Sequence, residues 1–233
     1  MYLFYTNKFD GEWAMLEEAE ARHCVQVLRM KIGDPIQFVN GQGSWFKGRL
    51  VELHKKACRI VIEGQEMLAD VCPVDLHLAV APTKNIDRFE WFLEKATEIG
   101  ISQVTPLLCK RSERKRIRPE RLERVLIAAM KQSLKARLPV LNPLQKLSDF
   151  LPGVSSEQKL IAHCHEGEKK LLKNIYIPQK SVCILIGPEG DFMEEEVAAA
   201  QDKGFQAIGL GEARLRTETA ALVACHSINF MNQ

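Results

Sequence analysis

Residues 183–221 hold two consecutive strand-to-helix turns, each carrying glycines, and this pairing limits the fold more than any other stretch of the chain. Cys183 to Ile186 is a short apolar run fit for a buried strand. Gly187-Pro188-Glu189-Gly190 breaks it, and from Glu194 the composition turns helical until Gly204. The pattern then repeats. Phe205 to Leu210 reads as a strand, Gly211 to Arg216 as a loop, and Thr217-Glu218-Thr219 as the capped start of a helix reaching about Asn229. In open α/β sheets ligands sit outside the carboxyl ends of the strands, so both loops point to one binding crevice.

Charge narrows the ligand. The helix after Gly190 opens with Asp191, Glu194, Glu195 and Glu196, which suits a helix amino terminus but repels a phosphate placed there. Neither G-x-G-x-x-G nor G-x-x-x-x-G-K-[ST] occurs, which disfavours dinucleotides and nucleoside triphosphates. His163-Cys164-His165 puts two histidines on one strand face with no further ligand pattern, so no metal site is expected. The 7 cysteines are scattered without C-x-x-C spacing, which argues against a disulfide framework or a zinc site and for mostly buried, reduced thiols.

The chain divides near residue 70. Before it lie short strand-like pieces at Leu3–Thr6, Pro35–Asn40, Trp45–Leu53 and Cys58–Glu63, a hairpin turn at Gly41-Gln42-Gly43 and one helical segment between Glu17 and Met30, suggesting a small β-barrel. From Val74 strands and helices alternate. Strands are expected at Val74–Ala81, Val104–Cys109, Lys159–His163, Val182–Ile186 and Ala207–Leu210, in a mostly parallel sheet of about six. Asp87 and Glu90 suggest the cap of a helix that Gly100 ends. The last helix is apolar nearly all round and should be buried on more than one side.

With 46% hydrophobic content, 233 residues suffice for two unequal domains. No stretch reaches membrane-spanning length and the opening residues lack a secretory pattern, so a cytoplasmic location is expected. The net charge of +2 is undiagnostic, but Lys110, Arg111, Arg114, Lys115, Arg116, Arg118, Arg121 and Arg124 cluster against only Glu113, Glu120 and Glu123. Such a cluster attracts a phosphate backbone. The alternative is a solvated helix face with Glu120 and Arg124 paired.

IGPEG followed by LGEARLRTETAAL resembles the cofactor-binding signature of the RsmE family, SPOUT-class methyltransferases that modify uridine N3 in small-subunit (16S) ribosomal RNA. APTKNIDRFEWFLEKATEIGISQVTPLLCKRSERK at 81–115, MKQSLKARLP at 130–139 and HCVQVLRMKIGD at 23–34 are similar to that family's middle and amino-terminal segments, so the likeness covers nearly the whole chain. The resemblance implies an α/β fold: a PUA-like RNA-binding β-barrel at residues 1–70, then a SPOUT methyltransferase domain at 71–233 with a carboxyl-terminal trefoil knot. It implies S-adenosylmethionine as cofactor, ribosomal RNA or the small ribosomal subunit as partner, and a homodimer. His163, Ile186, Gly187, Gly190, Leu210, Gly211, Leu215 and Thr217 are then expected at the cofactor. Arg216, Arg111 and Glu189 are the catalytic candidates, two as cations facing a uracil that loses its N3 proton and Glu189 as proton acceptor or loop brace. Arg29, Lys110, Arg111, Ser112, Arg114, Lys115 and Arg118 are expected at RNA, with Lys31, Lys47 and Arg49 as further barrel contacts. Leu3, Asp191, Lys131 and Lys135 depart from the family pattern, which commonly has an arginine near the first and a glycine at the second. A SPOUT methyltransferase of another RNA base and a non-catalytic RNA-binding protein remain alternatives.

Overall fold

The apolar runs of the second half lack the alternation of a half-exposed strand, as expected where helices cover both faces of a parallel sheet. The computed structural model describes residues 2–68 and 74–233. It comprises two units, Met1–Asp70 with Ile127–Leu138, and Val71–Leu126 with Pro139–Gln233.

In the first unit β1 (Leu3–Tyr5), β2 (Phe9–Asp10), β3 (Trp13–Glu17), β4 (Pro35–Val39), β5 (Ser44–Leu53) and β6 (Ala57–Met67) form one sheet in the order β1-β4-β5-β6-β3-β2. Only β1 and β4 pair parallel; the other neighbours are antiparallel. The expected helical segment splits into α1 (Glu18–Arg22) and a π-helical turn at His23–Val27. Phe4, Leu16, Phe38, Phe46, Leu50 and Ile60 form the core, with the Phe38 and Phe46 rings stacked at 5.1 Å. Leu3 packs in a second cluster with Val39, Trp45, Met130 and Ala136, a hydrophobic duty no arginine could fill. Strands β2 and β3 escaped the sequence reading because one has two residues and the other runs directly into α1.

The second unit contains β7 (Leu76–Val80), α2 (Ile86–Ile99), β8 (Gln103–Leu108), α3 (Pro119–Gln132, which runs on into the first unit), β9 (Val140–Leu141), β10 (Gln145–Lys146), α4 (Leu147–Phe150), β11 (Gln158–Ala162), β12 (Lys170–Leu171), α5 (Leu172–Ile175), β13 (Val182–Ile186), α6 (Glu194–Asp202), β14 (Gln206–Gly209) and α7 (Thr217–Phe230). The sheet runs β10-β8-β7-β13-β11-β14-β12, with β9 beside β8, and every pairing is parallel. It has 8 strands against the six expected, because two-residue strands leave no periodicity to read.

Two expected caps are corrected. Asn85, not Asp87, caps α2, its side chain accepting from Asp87 N at 3.1 Å. The position before α7 is Arg216, which makes no side-chain cap, and Thr217 Oγ1 instead donates to Gly187 O at 3.1 Å. Helix α7 packs on α2, where Asn229 Nδ2 donates to Gly100 O at 2.7 Å beyond the α2 terminus. Its buried positions include Ala221, Ala224, Cys225 and Ile228, whereas Phe230 is 66% exposed, so the helix is not covered all round. Cys24, Cys58, Cys109, Cys183 and Cys225 are buried and Cys164 is exposed; Cys72 lies outside the described residues.

Gly48 marks where β5 and β6 approach too closely for any side chain. A Cβ there would stand 2.3 Å from Val61 O, beside a register shift between Lys47 and Gly48. Gly48→Ala should therefore destabilise the protein by about 1–3 kcal/mol, read as a lower denaturation midpoint.

Candidate active site

Because β11 lies between β13 and β14, the carboxyl ends of all three strands open at one place. There a cavity of about 770 Å³ is lined by Ala162 and His163 at the end of β11, Ile186 to Glu189 at the end of β13, and Ile208 to Thr217 from the end of β14 onward, with Cys164, Lys169, Asp191 and Ala220. His163, Ile186, Gly187, Leu210, Gly211, Leu215 and Thr217 of the expected cofactor set are all in its wall, as are Arg216 and Glu189. Gly190 is not in the wall. A Cβ there would meet Arg111 Cβ at 3.4 Å, and Arg111 Nη1 donates to Gly190 O at 2.8 Å.

Polar fastenings hold the cavity's loops. Glu189 Oε1 accepts from Lys84 N at 2.9 Å, so this carboxylate braces the segment ahead of α2. Glu196 at α6 is buried and accepts from both Lys110 N and Met193 N at 2.9 Å. Its role went unread because Met193 hides the usual Ser/Thr signal of a capping box. The Lys169 ammonium, also in the wall, donates to His163 O at 3.2 Å and to His165 O. Nothing local in the sequence announces that role.

His163 has both ring nitrogens buried without a hydrogen-bond partner among the described residues. Burial first, then the nearby Lys169 ammonium, pushes its pKa down and keeps the imidazole neutral. Arg216 is exposed on the wall and has no ion-pair partner among the described residues, the nearby Glu212 and Glu218 included. Glu218 is instead buried, with Oε1 3.9 Å from Arg88 Nε.

The basic cluster separates into two groups. Lys110 pairs with Glu195, Arg121 with Asp87 and Glu90, and Arg114 donates to Thr83 O at 3.0 Å and to Lys84 O at 2.5 Å. Ser112 is buried with Oγ accepting from Cys109 N at 3.0 Å, so its hydroxyl serves a turn. Arg124 Nε donates to Glu120 O at 3.0 Å, the backbone carbonyl and not the carboxylate that the alternative reading paired with it. Lys115, Arg116 and Arg118 are exposed with no ion pair among the described residues, and so is Arg29 in the first unit, at φ 52°. Lys131 reaches Glu20 in an ion pair within the first unit.

The two glycines of the 187–190 turn should respond unequally. A Cβ on Gly187 would lie 3.0 Å from the fully buried Phe192 ring, so Gly187→Ala should cost about 1–3 kcal/mol. Gly190→Ala makes an ordinary contact and should stay within about 0.5 kcal/mol, both read by chemical denaturation.

Residues 70–229 match the RNA methyltransferase domain family and residues 16–63 the RNA methyltransferase PUA domain family. Ribosomal RNA small subunit methyltransferase E of Mesomycoplasma hyopneumoniae is 30% identical, covering 95% of this chain and 96% of that protein. A solved structure from Porphyromonas gingivalis is 39% identical with a TM-score of 0.91 over 99% of both chains. The Neisseria gonorrhoeae ribosomal RNA small subunit methyltransferase E bound to S-adenosyl methionine is 28% identical with a TM-score of 0.86, over 100% of this chain and 98% of that one. With a cavity at three parallel strand ends and likeness along its whole length, the chain belongs to the ribosomal RNA small subunit methyltransferase E family.

Proposed function

We propose that the protein methylates N3 of a uridine in small-subunit ribosomal RNA, using S-adenosylmethionine. The carrying observation is the cavity, in whose wall the two glycine-bearing loops and His163, whose ring nitrogens have no hydrogen-bond partner among the described residues, meet. Its size suits an adenosyl ligand, since small-molecule sites span about 300–1,000 Å³. When bound, S-adenosylmethionine supplies an electrophilic methyl group on a sulfonium sulfur.

In this reading Ile186, Leu210 and Leu215 exclude water, Gly211 lets backbone approach the ligand closely, and Gly187 offers its backbone while leaving room for the Phe192 ring behind it. Thr217 holds the Gly187 carbonyl and so fixes one loop against the other. The uracil N3 proton leaves to water, N3 takes the methyl group and S-adenosylhomocysteine departs; the negative charge that spreads to the ring carbonyls is assigned to the Arg216 guanidinium, which has no ion-pair partner among the described residues. Glu189 and Arg111 act as braces of the loop, one through Lys84 N and the other through Gly190 O. Lys115, Arg118 and Arg29 are assigned to RNA phosphates. Residues 1–70 form the RNA-binding part and 71–233 the methyl-transferring part, with its carboxyl-terminal segment knotted. The half-exposed Trp91 of α2 and the exposed Phe230 of α7 favour a second copy of the chain as partner.

Calorimetry should find S-adenosylmethionine binding by the purified protein. Arg216→Ala should then lower the single-turnover methylation rate by about a hundredfold or more while changing RNA affinity little. Equal losses in rate and binding would make Arg216 a substrate-holding residue instead. Replacing Lys115 and Arg118 by Gln should weaken RNA binding and flatten its salt dependence by about one unit of slope per contact, leaving cofactor affinity unchanged.

A further inference from the structure

The last paired residues of β11 and β13 are Ala162 and Ile186, and the segments that follow each of them both line the cavity. Side chains cross the gap. Asp191 Oδ2 accepts from Cys164 N at 2.8 Å, and its Oδ1 accepts from Phe192 N at 2.9 Å. His165 Nε2 lies 2.7 Å from Phe192 O, a carbonyl that can only accept, so that nitrogen carries the proton. The same nitrogen is 3.8 Å from Asp191 Oδ2. Lys169 stiffens the far side by holding the carbonyls of His163 and His165.

Asp191 makes these contacts from φ 62°, in the left-handed region. Its amide closes the turn on Pro188 O at 2.9 Å, a geometry a glycine would adopt with less strain. What aspartate adds there is two acceptor oxygens, one for Cys164 N across the gap and one for Phe192 N beside it on its own segment.

We propose that Asp191, assisted by His165, is a positioning residue that clasps the turn after β13 to the segment after β11 and so sets the spacing between the cavity's walls for the cofactor. The proposal rests on the reading of this cavity as the S-adenosylmethionine site. The clasp acts through the loops and touches no reacting atom, so it should govern cofactor affinity and leave the rate at saturating cofactor nearly unchanged.

The test compares the full-length wild type with Asp191→Gly, Asp191→Asn and His165→Phe. It measures the Kd for S-adenosylmethionine and for S-adenosylhomocysteine, the melting temperature, and kcat with KM for the cofactor. Asp191→Gly removes the clasp while relieving the strained backbone. It should raise both Kd values about tenfold or more, with the melting temperature within a few degrees of wild type because the relieved strain offsets part of the lost hydrogen bonding, KM raised and kcat within about twofold. Asp191→Asn keeps one acceptor oxygen for two N–H donors and should fall between, as should His165→Phe. Unchanged Kd values in the Gly and Asn variants would overturn the proposal. So would a loss confined to S-adenosylmethionine, which would make Asp191 a direct partner of the sulfonium charge, and so would affinity losses that merely track lowered melting temperatures. Failure of the wild type to bind either ligand would overturn the cofactor reading itself, a result separable from failure of the clasp alone.

Discussion

Strands β7 and β13 are buried at every position, so their side chains are taken up by packing between the helical layers, and only Ile186, where β13 ends, reaches the cavity wall. A parallel sheet covered on both faces can present binding groups only where its strands stop, through the backbone of the turns that follow. The position of the cavity follows from that constraint. Three neighbouring strands end together, and glycine at the first turn position after β13 leaves room where a Cβ would press on Phe192.

Turns freed from the ladder must satisfy their polar groups elsewhere, and here side chains from distant segments do so. Arg111 holds the Gly190 carbonyl, Glu189 the Lys84 amide, Arg114 the Thr83 and Lys84 carbonyls, and Glu196 the Lys110 amide. Much of the basic segment after β8 is thereby spent on architecture. Lys115, Arg116, Arg118 and Arg216 are exposed with no ion pair among the described residues and are able to meet a polyanion or a developing anion.

The second unit was legible in the sequence where elements are long and apolar. β13 begins and ends as expected, and both glycine-bearing turns sit at strand ends. Strand order was not legible. No local pattern says that β11 inserts between β13 and β14, and it is that insertion which brings His163, Cys164 and Lys169 to the cavity. Charge runs misled for a related reason, since composition cannot separate an arginine facing solvent from one reaching a carbonyl many residues away, such as Arg114 or Arg111. Ser112 and the α2 cap show the same limit at short range, where backbone geometry decides which of several polar neighbours accepts the hydrogen bond.

The central claim, methyl transfer to N3 of a uridine in small-subunit ribosomal RNA, is met most directly by nucleoside mass spectrometry of that RNA from cells with and without the gene for this chain. The account predicts that 3-methyluridine disappears from one position on deletion and returns when the wild-type protein, but not Arg216→Ala, is supplied. Unchanged 3-methyluridine in the deletion strain, or loss of a different modified nucleoside, would contradict it.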